Sequence, residues 1–321
     1  KYYSTIDINL TNEIENLANE SIKSLKWKNV WDYWVIIIDT KSMELLTMIW
    51  WINYNSKNWQ VNSTTALRQA WSTLKPFLYL KYFKEFNKNW DDKIVDAPIW
   101  FETEDGTLYS PKNYSLDYKY EISLRESLSQ SLNIPAVKIL NELWISNFIK
   151  FLKEVWIKSI KNDPNFYGLS IALWSWEVNL IDLTKAYAIF FNNWKYCELI
   201  IKKWQKKYCN QVIEDKYISE INEILKNRYY KLEWFWINSE LDFQNIDVFF
   251  KTWTSRNFKD NWIIWGFDNY LIWVWAWNKD WTEMKWVSWA TWAWNIFKKI
   301  INYLSKWKNE DQIIPKFSDK K

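Results

Sequence analysis

The chain contains no histidine. That excludes every mechanism that uses an imidazole base, including Ser-His-Asp and Cys-His arrangements. It also removes the commonest metal ligand. Cys197 and Cys209 are the only thiols, too few for a zinc site or a disulfide framework. They could form one disulfide or stay free, and the sequence does not choose. No run of 18 apolar residues occurs, so no segment reads as a membrane span. Charge of one sign is not in excess: 42 basic and 38 acidic residues leave +4 over 321 residues. So mild a bias gives no reason to expect a nucleic acid partner.

Glycine is nearly missing. There are 3 Gly and 29 Trp, where average usage of about 7% would give roughly 22 Gly. A domain of this size needs backbone positions with positive φ, and Trp fills them at a cost. Many Trp stand in polar turn contexts that suit Gly: Asn58-Trp59-Gln60, Asn193-Trp194-Lys195 and the surroundings of Trp281. Others, such as Trp174 with Trp176, set large rings two apart without amphipathic logic. The expectation is that most of these Trp stand where the host inserts Gly, through a UGA codon read as Gly. An intact mass of the host's own protein matching 29 Trp would refute it.

What is present has a clear order. Val35–Asp39 and Leu45–Ile49 read as a strand pair, preceded by helical spacing over 8–26. Ser72–Phe83 reads as a helix with Pro76 tolerated in its first turn. Two helices are expected over 122–131 and 136–155, broken by Asn133-Ile134-Pro135, and another over 179–191. Residues 196–245 are poorly periodic and read as a strand pair with a surface insertion. Short strands follow at 247–250, 262–265 and 270–275, then a closing helix over 295–304. This order predicts an α+β fold: a mainly antiparallel sheet built from both chain ends, with helices packed on it and a helical block inserted between. One domain over 1–305 and a charged tail over 306–321 are expected.

Three short elements carry chemistry. In Ser72-Thr73-Leu74-Lys75, a hydroxyl and an amine three apart share one helix face at a helix start. A desolvated Lys can act as a base toward such a Ser. Ser131-Leu132-Asn133 offers a second hydroxyl and an amide. Lys251-Thr252-Trp253-Thr254 ends a predicted strand. Each alone is more often capping or surface chemistry. Their order along one His-free chain changes that: Ser-x-x-Lys, then Ser-x-Asn, then Lys-Thr-Gly is the signature set of penicillin-binding proteins and serine β-lactamases, with Trp253 in the Gly slot.

The resemblance extends beyond the triplets. Gln60 to Tyr79 resembles the nucleophile region of class A penicillin-binding proteins, and Ser129 to Val137 resembles their second motif. Tyr167 to Val178, then Leu183 to Tyr187, looks like the stretch that follows, and Tyr3 to Asp7 like the entry to the domain. Lys251 to Ser255, then Asp260 to Trp277, is close to the penicillin-binding protein 1C version. Against the family pattern, Trp replaces Gly at 71, 174, 176, 253 and 273.

The resemblance implies a β-lactamase/transpeptidase-like fold and a D,D-transpeptidase that cross-links peptidoglycan stem peptides through a serine acyl-enzyme. It implies Ser72 as nucleophile, Lys75 as base, Ser131 as proton relay helped by Lys251, and Asn133 on the substrate backbone. Thr252 and Thr254 would bind the terminal carboxylate, and the Ser72 and Thr254 N–H groups would form an oxyanion hole. No metal and no cofactor are implied. The expected partners are D-Ala-D-Ala stem peptides, with β-lactams as inhibitors. The expected location is extracytoplasmic, with a membrane tether and a glycosyltransferase domain in a longer parent. Rival readings are a DD-carboxypeptidase or β-lactamase, and a non-catalytic penicillin-binding sensor or scaffold.

Overall fold

The computed structural model describes residues 3–49, 67–102, 106, 108–160, 177–192, 195–211, 215–227, 230, 248–254, 260–278, 282–285 and 293–311. Its centre is a five-stranded antiparallel sheet. The strands are β1 (Asp32–Asp39) and β2 (Leu45–Ile49) from the start of the chain. Four two-stranded pairings lie outside it. β3 (Leu67–Gln69) pairs with β8 (Glu177–Asn179), β4 (Lys93–Asp96) with β7 (Tyr120–Ser123), β5 (Phe101–Glu102) with β6 (Leu108–Tyr109), and β9 (Lys195–Cys197) with β10 (Cys209–Gln211). The last three strands, β11 (Phe249–Thr254), β12 (Asp260–Phe267) and β13 (Tyr270–Trp277), complete the central sheet in the order β11-β12-β13-β1-β2. The predicted assembly from both chain ends is therefore found.

Alternation along the strands divides the core in two. Trp34, Ile36 and Ile38 of β1 and Trp262 and Ile264 of β12 face one side. Tyr33, Val35 and Ile37 of β1 and Ile263 and Trp265 of β12 face the other. Both faces are covered, which is why β1 reads as an unbroken apolar run. The second face is closed by α1 (Ile8–Lys23), capped by Asp7 Oδ1, and by the last helix of the chain.

The first face carries the helical block. A 3₁₀ turn, Trp71–Leu74, leads into α2 (Lys75–Phe86). Then come α3 (Leu124–Ser129), α4 (Asn133–Leu143), α5 (Ile145–Glu154), α6 (Leu180–Tyr187) and α7 (Asp215–Lys226). The closing helix is α8 (Ala293–Asp311). The arrangement is a three-layer sandwich of helices, sheet and helices.

Several expectations are corrected. The helix predicted over 136–155 is two helices, broken at Trp144, which has φ 64° and ψ 134°. Asn133-Ile134-Pro135 does not break a helix but begins α4, because Pro in a first turn removes only an N–H that has no intrahelical partner. The stretch predicted as the start of a helix at 122 belongs to β7, and the helix starts at Leu124. Ser123 and Glu126 form a capping box there. α7 was not expected in the poorly periodic stretch. α8 continues to Asp311, past the predicted end of the helix.

Cys197 and Cys209 are joined by a disulfide that ties β9 to β10, which settles the open choice between bond and free thiols. Among the Trp positions, Trp144 and Trp156 have φ of 64° and 67°, values rare for bulky residues. Trp273 is fully buried in β13, and its indole N–H has no acceptor among the described residues. Trp174, Trp176 and the Tyr167–Trp174 stretch lie outside the described residues. A Cβ at Gly266 would collide with the Phe191 ring, which would have to move to admit any other residue.

Candidate active site

Lys75 is the first residue of α2 and is 2% exposed. Its Nζ donates to the Ser131 carbonyl at 2.6 Å, to Asn133 Oδ1 at 2.8 Å and towards Ser131 Oγ at 3.4 Å. Lys251 comes from β11 and is 4% exposed. Its Nζ donates to the same Ser131 Oγ at 2.8 Å and to the Thr252 carbonyl at 3.0 Å. Two buried amines from distant parts of the chain therefore converge on one hydroxyl. Among the described residues neither forms an ion pair.

Local structure explains the convergence. β11 is the edge strand of the central sheet, paired with β12 so that Lys251 stands opposite Ile264. Lys251 shares its face with Phe249, which packs in the core of the helical block. A one-residue slip in register would turn it to the opposite layer. Ser131 sits between α3 and α4 with φ 56°, a left-handed conformation uncommon outside Gly, Asn and Asp. Its N–H donates to the Leu128 carbonyl at 3.0 Å, closing α3.

Ser72 lies in the 3₁₀ turn that packs against β11, and it is partly exposed. The turn is braced from below. The buried Tyr187 hydroxyl donates to the Thr73 carbonyl at 2.5 Å, and Thr73 bonds the Ala70 carbonyl through both its N–H and its hydroxyl. The Lys75 N–H donates to the Ser72 carbonyl, so the Ser72-to-Lys75 geometry is fixed by backbone.

Burial governs the electrostatics. Desolvation, then the nearby Lys251 charge, holds the Lys75 amine well below the usual lysine range. Desolvation brings Lys251 down to about 7. Lys251 can shed a proton near neutrality, which an exposed lysine cannot do, and burial pushes Lys75 in the same direction.

Of the seven residues singled out from sequence, Lys75, Ser131, Asn133 and Lys251 are joined by hydrogen bonds at the junction of α2, the α3–α4 turn and β11, and the turn that carries Ser72 packs against β11. Thr252 alternates to the other face of β11 from Lys251 and is partly buried. The Thr254 backbone belongs to β11, opposite Asn261, and its side chain and that of Trp253 lie outside the described ones. Sequence reasoning missed Asn113, whose Oδ1 accepts from the Asn133 N–H at 2.9 Å. Its only local signal is its place after Pro111 in a turn.

Residues 33–231 match the family described as penicillin binding protein transpeptidase domain. The chain belongs to the penicillin-binding protein transpeptidase family. This transpeptidase domain is 24% identical over 246 residues to penicillin-binding protein 1A of Aquifex aeolicus, covering 74% of the chain and 33% of that protein. It is 22% identical to penicillin-binding protein 1B of Buchnera aphidicola, over 85% of the chain and 38% of that protein. The chain thus spans little more than a third of these curated relatives. Among solved structures, PonA1 from Mycobacterium tuberculosis superposes with a TM-score of 0.76 at 15% identity, covering 94% of the chain and 84% of that chain. Penicillin-binding protein 1A from Haemophilus influenzae gives 0.70 at 17% identity, over 84% of this chain and 47% of the other. At such identities the superpositions show the fold. These relatives are of the 1A and 1B types, and the finer likeness to the 1C type stays an expectation from sequence.

Proposed function

We propose that this domain is a serine D,D-transpeptidase acting on peptidoglycan stem peptides, with Ser72 as its nucleophile. The observation that carries the reading is the pair of buried lysine amines on Ser131 Oγ, beside the Ser72 turn. Neutral Lys75 takes the Ser72 Oγ proton as Oγ attacks the carbonyl between the two terminal D-Ala residues. The C–N bond breaks, and the leaving amine receives a proton through the Ser131 hydroxyl, which both lysines contact. Ser72 then holds the acyl group as an ester. The amine of a second stem attacks that ester, the peptide bond forms, and the proton returns to Ser72 Oγ. Asn133 and the edge of β11 hold the donor peptide, which lies along the strand as an added β-strand. Backbone N–H donors of Ser72 and Thr254 stabilise the oxyanion, a contribution of roughly 3 kcal/mol per donor in serine enzymes. Thr252 and Thr254 meet the terminal carboxylate.

A structure of PonA1 in complex with penicillin V is among those that superpose on the chain, with a TM-score of 0.75, and it supports β-lactams as ligands of this site. The Cys197–Cys209 disulfide supports an oxidising, extracytoplasmic compartment. A single experiment tests the assignment. The protein is labelled with a fluorescent penicillin, digested, and the modified peptide identified by mass spectrometry. The label is expected on Ser72 and is expected to vanish in Ser72→Ala. Equal labelling of that variant would overturn the nucleophile.

A further inference from the structure

Asn133 is held by more than Lys75. The N-cap position of α4, Leu132, supplies no side-chain cap, so the first N–H groups of the helix need partners from elsewhere. Asn113 provides them across 20 residues of chain. Its Oδ1 accepts from the Asn133 N–H at 2.9 Å and the Ile134 N–H at 3.3 Å. Pro135, next in line, has no N–H to satisfy. The neighbouring Lys112 carbonyl accepts from Asn133 Nδ2 at 2.9 Å. The same short segment thus fixes the backbone and the amide of Asn133, leaving Oδ1 turned to Lys75 at 2.8 Å.

Asn113 is itself locked. Its Nδ2 donates to Asp96 Oδ1 and Oδ2 at 2.8 and 2.9 Å, and to the Asp117 carbonyl at 3.0 Å. Every partner of Nδ2 is an acceptor and every partner of Oδ1 a donor, so the amide has one orientation. Asp96 ends β4, is fully buried, and also accepts from the Lys119 N–H at 2.9 Å. Asn113 is 3% exposed, and among the described residues its link to the reacting groups runs through Asn133. A carboxylate on one strand thus aims an amide that aims a helix start.

We propose that Asn113, held by Asp96, is a positioning residue of the transpeptidase site: it fixes the start of α4 so that Asn133 Oδ1 and the Ser131 carbonyl stand where the Lys75 amine meets them. The inference rests on the reading of Ser72 and Lys75 above. Displacing Asn133 by a fraction of an ångström loosens the base, while the edge of β11, which carries most of the proposed hold on the donor, stays in place, so the noncovalent affinity for a β-lactam changes little.

Stopped-flow acylation by a fluorescent penicillin separates these quantities. In Asn113→Ala the acylation rate constant is expected to fall by about 10-fold or more, while the noncovalent dissociation constant stays within about 2-fold. The final labelled fraction should match the unmodified protein. Asn113→Asp sets a carboxylate against Asp96 and should be worse. Asp96→Asn keeps Asn113 but takes one acceptor from its Nδ2; it should give a smaller fall of the same rate constant, and it serves if Asn113→Ala does not fold. A reduced labelled fraction with an unchanged rate constant would make Asn113 a purely structural cap and overturn the proposal. So would Asp96→Asn acylating as fast as the unmodified protein. Ser72→Ala runs alongside: if it still labels, the site reading fails; if it is silent and Asn113→Ala is fast, this inference alone fails.

Discussion

Lys251 offers a sharp test of how the site is built, because its burial costs stability that the fold must recover elsewhere. Its amine falls from the model-peptide value of 10.5 to about 7 through desolvation. At about 1.4 kcal/mol per unit, the protonated form is disfavoured in the folded state by about 5 kcal/mol. The sign follows from proton counts. Below pH 7 both folded and unfolded chains carry the proton, and the folded one bears the full cost. Between pH 7 and 10.5 the unfolded chain keeps its proton and the folded chain has lost it. The cost therefore shrinks as pH rises through this window and is gone above it. Lys251→Met has no such proton. Its stability relative to the unmodified protein should be greatest at pH 6 to 7 and should decline by several kcal/mol towards pH 10.5. Ser131 Oγ keeps Lys75 as a neighbour at 3.4 Å, and removing the Lys251 charge relieves Lys75 as well, so nothing in the pair opposes the gain. Urea unfolding of both proteins at several pH values between 6 and 10.5 measures the difference. Penicillin acylation of the variant should drop steeply in the same samples. A stability difference that is flat with pH, or that widens at high pH, would refute the reasoning, since the buried ammonium would then not be the source of the cost.

Further outcomes follow from the same structure. Replacing Cys197 and Cys209 by Ser opens a link across 12 residues and should lower stability by roughly 2–4 kcal/mol, seen as an earlier urea midpoint that the unmodified protein reproduces under reductant. Trp144→Gly should raise stability by about 1 kcal/mol: the ring is 72% exposed, little burial is lost, and a φ of 64° with ψ 134° ceases to be strained. Trp156→Gly relieves a similar φ but removes a ring stacked on Tyr196 at 4.4 Å, so its urea midpoint should gain less than that of Trp144→Gly. The penicillin adduct on Ser72 should outlast a chase with unlabelled drug; rapid loss with turnover would favour a β-lactamase.

The sheet was legible because its signal is local. Val35 to Asp39 and Leu45 to Ile49 alternate or run apolar within a few residues, and the strands at 260–267 and 270–277 pair as neighbours. Legibility failed where tertiary context overrode the pattern. The periodicity of 136–155 runs through Trp144, which carries no breaker chemistry as Trp; the backbone nonetheless takes a Gly-like conformation there. The start of α3 is written in the sequence as the Ser123-x-x-Glu126 capping box, a stronger local signal than the apolar period around it. α7 carries a regular apolar face, with Tyr217, Ile218, Ile221, Ile224 and Leu225 buried at helical spacing, but the polar residues on either side of it hide that period within the longer stretch.

The site divides the same way. Residue types in order along the chain pointed to Ser72, Lys75, Ser131, Asn133 and Lys251, but no spacing could say that both amines would meet one oxygen. That depends on two features with no sequence signature: the register of β11 on β12, which sends Lys251 and not Thr252 into the helical layer, and the left-handed Ser131 that presents Oγ to both lysines. The two are coupled, since a slip of β11 by one residue would leave Ser131 strained with no second amine to serve. The Ser131 hydroxyl is therefore presented by its own turn and met by a strand 120 residues away. This is also why the supporting amide of Asn113 was invisible: its role exists only once α4, β4 and α2 have met.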